Sequence, residues 1–242
     1  MSMPKKSSVL LFFLLLASYL VCHAEQARPG GRTLRYRITS RGFGVGELKT
    51  VIAPVQHAGS RAVRFHSDLA IDANLLLFKV STRSSEDAVI GEHGTLSYRR
   101  QGEDSGKSST VDATLEGGAF RFKMTDIGAS RSVAVPRSSY DFTTMDCPET
   151  TMQREGEIME VRLLDMEHAR VVKRKFHWVR SEEVEVGGKR LRCRVVDFSD
   201  ANNSCRRWVS KDEAGVVIVR QDGTGKGGNY SLRVVSVSDG PA

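Results

Sequence analysis

The 242 residues carry 36 Lys and Arg against 29 Asp and Glu, a formal charge of +7, with 40% hydrophobic residues, 27% charged and 6 Pro. That composition excludes low-complexity and collagen-like classes, and a chain of this length can bury a core without relying on disulfides. Aromatics make up only 7% and no nucleic-acid reader motif occurs, so the mild basicity does not point to nucleic acid.

In chain order, the first element is an export signal. Lys5 and Lys6 precede an apolar run from Val9 to Val21, and Cys22-His23-Ala24 stands before Glu25, the order of a secretory leader with cleavage after Ala24. The run is 13 residues long, whereas a membrane-spanning helix needs about 20. A leader of residues 1–24 leaves 218 residues and takes two lysines with it, so the mature charge falls to +5. Cys22 follows Tyr19-Leu20-Val21, without the small residue that a lipidation box needs, so the chain is expected in the periplasm without a lipid anchor. Residues 25–32 are expected to be a flexible N-terminus, and 33–238 one β domain.

From Arg32 onward the dominant period is two. Leu34, Tyr36 and Ile38 alternate with Arg35, Arg37 and Thr39; Val63, Phe65, Ser67, Leu69 and Ile71 with Arg64, His66, Asp68 and Ala70; Phe120, Phe122 and Met124 with Arg121, Lys123 and Thr125. The pattern returns at Leu191, Cys193 and Val195, at Val216 to Arg220, and at Tyr230, Leu232 and Val234. Such alternation marks strands with one wet face. Glycine-bearing turns such as His57-Ala58-Gly59, Glu116-Gly117-Gly118 and Gly187-Gly188 separate the runs, so neighbouring strands pair antiparallel. About ten or more such strands must curl or close to bury their apolar face. The expected fold is all-β, a single antiparallel open barrel or half-barrel, with a β-sandwich as the alternative.

Pro136 to Gly156 breaks this rhythm. It reads as a long irregular or partly helical crossover between an N-terminal set of strands and a C-terminal set beginning at Ile158. Long connections in compact domains are often functional, and this one carries Tyr140, Phe142 and Met145, apolar side chains that a solvated loop does not need. They are the candidate ligand-contacting or plugging residues, expected to point into the barrel mouth.

Other motifs weigh little. Gly223-Thr224-Gly225-Lys226-Gly227-Gly228 matches the dinucleotide pattern, but a strand, Tyr230 to Val234, follows where the motif needs a helix N-terminus. Gly42 to Gly46 is as weak a match to a nucleotide-covering loop. His57, His66, His93, His168 and His177 lack metal-ligand spacing, so no metal and no cofactor is expected. Cys147 is a candidate free thiol and the sole candidate nucleophile. The flanking Asp146 and Glu149 raise a thiol pKa, which disfavours a thiol-dependent enzyme. Cys193 and Cys205 are a candidate disulfide: a loop centred on Ser199 brings them together, whereas a turn at Asn202-Asn203 separates them. Arg190, Arg192 and Arg194 share one strand face, either a solvated face balanced by Glu182, Glu183 and Glu185 or one that meets anionic headgroups or an acidic partner.

Several segments together resemble a family. Leu34-Arg35-Tyr36-Arg37-Ile38 followed by Gly42 to Glu47, then Thr95-Leu96-Ser97-Tyr98, Leu163-Leu164-Asp165, Val184 to Gly188, Arg207-Trp208-Val209-Ser210-Lys211-Asp212 and Tyr230-Ser231-Leu232 are similar to exported bacterial domains of unknown function. Those domains resemble the open β-barrels of outer-membrane lipoprotein carriers. The resemblance implies a periplasmic barrel able to hold an acyl chain and supplies no catalytic residue; the Cys193/Cys205 pair is outside it. The expected function is non-enzymatic binding of an apolar or lipid-like envelope component. The alternative is an assembly protein that docks an envelope protein on an exposed strand edge.

Overall fold

The computed structural model describes residues 30–75, 78–201, 203–212, 215–225 and 228–240; the export signal expected at 1–24 lies outside the described residues. Before the crossover come β1 (Gly31–Ser40), β2 (Phe43–His57), β3 (Ser60–Leu75), β4 (Phe78–Gly91), β5 (Gly94–Asp104), β6 (Lys107–Glu116), β7 (Ala119–Asp126) and β8 (Ala129–Pro136). The short β9 (Phe142–Thr143) follows, then β10 (Ile158–Asp165), β11 (Arg170–Val186), β12 (Lys189–Ser199), β13 (Ser204–Asp212), β14 (Gly215–Gly225) and β15 (Gly228–Gly240). All belong to one sheet in the order β8-β7-β6-β5-β4-β3-β2-β1-β15-β14-β13-β12-β11-β10-β9. Two meanders are thus joined where β1 pairs antiparallel with β15, and only the β9–β10 pair is parallel.

The alternation that marked the strands also accounts for this topology. Two-residue turns such as Ala58-Gly59, with φ of 48° and 81°, match the twist of the strands they join and hold consecutive strands in register. The sheet is barrel-like and unclosed, with β8 and β9 at its two edges. Its edges overlap: the Thr143 hydroxyl on β9 lies 2.7 Å from that of Thr95 on β5. Leu164, near the end of β10, and Met166, just past it, pack with Phe120 and Phe122 of β7. A continuous sheet of this kind is the open barrel, and the sandwich alternative is not formed.

The crossover is irregular and contains two short 3-10 turns, Arg137–Ser139 and Pro148–Thr151. One expectation needs correction. β1 starts at Gly31, inside the tail expected to be flexible, because the Arg32 guanidinium is held by Asp212 and Asp239, each at 2.9 Å.

Three apolar clusters fill the structure. One joins Tyr98, Phe120, Phe122, Val135, Tyr140, Leu164 and Met166. A second joins Leu34, Tyr36, Cys193, Val195, Trp208 and Val217, and a third Met152, Leu163, Phe176, Trp178, Val196 and Phe198. Val195 and Val196 point to opposite faces of β12, yet both are 0% exposed, so β12 is covered on both sides. Bulges at Trp178/Arg180 and Trp208/Val209 change which alternate residues face inward on the flanking strands.

Candidate functional site

The crossover is built from the edges of the sheet inward. Arg137 donates to the Tyr140 carbonyl at 2.8 Å, and Asp141 takes both Arg162 Nη2 and the Arg162 amide at 2.7 Å. These contacts aim Tyr140 into the first cluster, where it is 3% exposed, 6.2 Å from the Phe120 ring, with its hydroxyl lacking a partner among the described residues. Phe142 pairs with Leu163 and packs on the third cluster, and Met145 packs on the first. The three residues singled out by sequence therefore divide between two clusters rather than lining one opening.

What holds the segment down is polar. Glu149, 0% exposed, accepts from Arg207 Nη1 at 2.8 Å, and its second oxygen has no partner among the described residues. Arg207 also donates to Gln221 Oε1 at 2.7 Å, and Gln221 donates to the Tyr230 hydroxyl at 2.6 Å. Arg194 donates from one nitrogen to the carbonyls of Glu149, Thr150 and Met152 at 3.1, 3.1 and 2.8 Å, while its guanidinium lies 4.3 Å above the Trp178 ring. Two arginines thus pin residues 149–152 onto β12 and β13, satisfying carbonyls that a 3-10 turn leaves free. This corrects the reading of Arg190, Arg192 and Arg194 as one surface row: Arg194 is withdrawn to the crossover, and Arg190 and Arg192 remain exposed.

The cysteines among the described residues, Cys147, Cys193 and Cys205, are free. Ser199 pairs with Ser204, so Cys205 faces Phe198 while Arg194 faces Val209. Cys193 and Cys205 therefore lie on opposite faces, several positions apart along the hairpin, and the candidate disulfide is not formed. Burial pushes the Cys147 thiol up to about 12, reinforced by Glu149 and Asp146 and opposed by Arg207. Burial and the Glu182 carboxylate raise that of Cys193 to about 11. A thiol so placed is a poor nucleophile near neutrality.

On the opposite face of β11 to β15 from Arg207 lies a cleft of about 770 Å³. Its floor is a cross-strand ladder in which His177 faces Asp197, Asp197 faces Arg206, Arg206 faces Asp222 and Asp222 faces Ser231. Directly opposed residues share one face of the sheet. Arg206 donates to both oxygens of Asp197 at 2.6 and 2.8 Å, and these bonds hold that carboxyl below the usual range. Burial alone would raise Asp222, but hydrogen bonds from Arg220 and Ser231 more than offset it and its pKa is lowered. Arg220 lies 4.3 Å over the Trp208 ring, whose N–H donates to Glu182. The cleft thus offers fixed ionised acceptors and guanidinium donors that are engaged except for Arg220 Nε, which has no partner among the described residues.

The remaining motifs resolve structurally. Gly223 faces Tyr230, and a Cβ there would meet that ring at 2.5 Å, so this glycine serves packing; Lys226 and Gly227 of the same motif lie outside the described residues. Among the described residues no group of three or more His, Cys, Asp and Glu is gathered about a metal position. No helix among them is long and apolar enough to cross a membrane. The pinned arginines and the ladder were missed by sequence reasoning, because their partners are far apart in the chain.

No protein-family model matches the chain, and no curated protein does. Among solved structures, the chain is similar to the beta-barrel-like protein of the domain of unknown function DUF1849 from Brucella abortus. The TM-score is 0.58 at 12% identity, over 88% of this chain and 99% of that one. At that identity the likeness shows the fold alone, a barrel-like β protein.

Proposed function

We propose that the chain is an exported, non-catalytic protein of the bacterial cell envelope that binds an envelope component at its outer surface, with its concave side closed by its own crossover. The observation that carries this reading is the fully buried Glu149 held by Arg207, with Arg194 on the adjoining carbonyls. A segment fixed by a buried ion pair is a plug, since withdrawing it would strand a charge on each side. The Cys147 thiol at about 12 and cleft carboxylates held ionised by arginine support a binding role over general acid or thiolate chemistry. The leader-like residues 1–24 support export.

The test is production of the full chain in a Gram-negative host, followed by osmotic release, N-terminal sequencing and native mass spectrometry. The expected product begins at Glu25 and carries no lipid. Retention in the cytoplasm with the leader intact refutes export. Co-purifying acyl lipid favours the second reading, a carrier of an apolar or lipid-like component. One feature favours that reading: Tyr140, Phe142, Met145 and Met152 cover two apolar clusters, which a displaced crossover would bare. Phe142→Ala separates the two, lowering stability for a plug but sparing stability and altering lipid occupancy for a movable lid.

A further inference from the structure

The cleft on β11 to β15 has features that a simple charged patch lacks. Its arginines already hold carboxylates, Arg206 both oxygens of Asp197 and Arg220 one oxygen of Asp222 from beside the Trp208 ring, with Arg220 Nε left without a partner among the described residues. A phosphate or sulfate would therefore have to displace a carboxylate from a bidentate pair before gaining a fork of its own. What the ladder still offers is spare hydrogen-bonding capacity. Each ionised carboxylate oxygen keeps a further lone pair, and the imidazole of His177 can donate or accept.

Beside the ladder runs a second cross-strand row, in which Lys175 faces Ser199, Ser199 faces Ser204, Ser204 faces Thr224 and Thr224 faces Asn229. Three of these are hydroxyls, each able to donate and accept. Both rows cross several strands about 4.8 Å apart, so the floor is elongated, roughly 15 to 20 Å from end to end. A ligand that fits must be extended and must both donate and accept at short intervals, with an acceptor toward Lys175 at the β11 end.

From this arrangement we infer that the cleft is a carbohydrate-binding site, taking an extended oligosaccharide whose vicinal hydroxyls donate to Asp197 and Asp222 and accept from the hydroxyl row. The inference deepens the proposed envelope role and rests on it for where the glycan is met. Binding itself is a property of the cleft and can be measured without export or lipid data.

The test is retention of the purified protein on an array of defined oligomers of glucose, mannose, N-acetylglucosamine and uronic acid in about 150 mM salt, where exposed charges are largely screened. Heparin and polyphosphate serve as polyanion probes. At least one neutral oligomer series should be retained. Asp197→Asn should weaken that retention at least tenfold, and so should Ser204→Tyr, which places a ring across the hydroxyl row. The Ser204→Tyr protein should keep the parent's urea midpoint, because Ser204 is exposed; it decides the matter should Asp197→Asn fold poorly. Three results overturn the inference: no neutral oligomer retained, retention only of polyanions and uronates that disappears with salt, or neutral retention indifferent to Ser204→Tyr. Failure here with an exported, lipid-free protein rejects the glycan and leaves the envelope role standing. Cytoplasmic retention together with glycan binding does the reverse.

Discussion

Replacing Arg207 with Met keeps a long apolar stem while removing the charge that faces Glu149. The Glu149 side chain is 1% exposed and that of Arg207 17%, so the variant leaves a carboxylate with almost no water to replace its partner. Removing one member of a buried pair costs about 3 to 5 kcal/mol, and partial access at Arg207 favours the low end. Unfolding in urea, followed by the fluorescence of Trp178 and Trp208, should therefore show a loss of about 3 kcal/mol. For a domain of this size that corresponds to a melting temperature lower by roughly 6–12 °C. Glu149→Met alone strands the guanidinium and should also destabilise. The Arg207→Met/Glu149→Met double variant removes both charges and should recover, giving a coupling of at least about 2 kcal/mol. A single Arg207→Met cost below about 1 kcal/mol, with additive doubles, would refute the claim that this pair pins the crossover.

Tyr140→Phe should raise stability by up to about 1 kcal/mol, since the buried hydroxyl has no partner among the described residues to lose; a lower melting temperature would mean that a partner exists. Glu86 lies between Arg100 and Glu167, and burial pushes its carboxyl above the usual range, with Glu167 adding and Arg100 opposing. Its folded form holds the proton longer than the unfolded chain does, so its contribution is full below about pH 4.3 and declines as pH rises toward the raised value. Glu86→Gln should flatten the slope of urea midpoint against pH above about pH 4.3, and an unchanged slope counts against the assignment. Asp141, Asp197 and Asp222 are lowered, so their contribution is present above about pH 3.9 and is lost as pH falls further. Native iodoacetamide labelling at pH 8 should leave Cys147 and Cys193 slow relative to the urea-unfolded chain, and non-reducing peptide mapping should find no Cys193–Cys205 link.

Much of the fold could be read from the chain because a half-wet strand writes its orientation locally. The run Phe120, Phe122, Met124 needs only its own alternation to declare which face is buried, and all three are buried. The break in that rhythm after Pro136 likewise placed the crossover, with β10 starting at Ile158. The pinning network had no such signature. Glu149 lies 45 residues from Arg194 and 58 from Arg207, and beside Cys147 it reads only as a charge that opposes a thiolate. Arg194 looked like a member of a solvated row because periodicity reports which face a residue occupies and not what covers that face. One local hint existed. Val195-Val196 places apolar residues on both faces of β12 in succession, which marks a strand covered on each side, so an arginine between such residues has to find a buried partner.

The hairpin between β12 and β13 shows why the rest depended on register. Pairing Ser199 with Ser204 leaves four residues in the turn, closed by the Asp200 amide on the Asn203 carbonyl at 3.0 Å. In that register Asp197 meets Arg206 and Phe198 meets Cys205. A slip of one residue would turn one strand's partners to the other face, setting Asp197 against Cys205 or Arg207 and dismantling the ladder. Composition permitted either outcome, since polar residues fill the whole stretch from Asp197 to Ser204 apart from Phe198 and Ala201. The unformed disulfide and the polar cleft are therefore two consequences of one turn: the register that carries Cys193 and Cys205 apart is the one that aligns His177, Asp197, Arg206 and Asp222 across four strands.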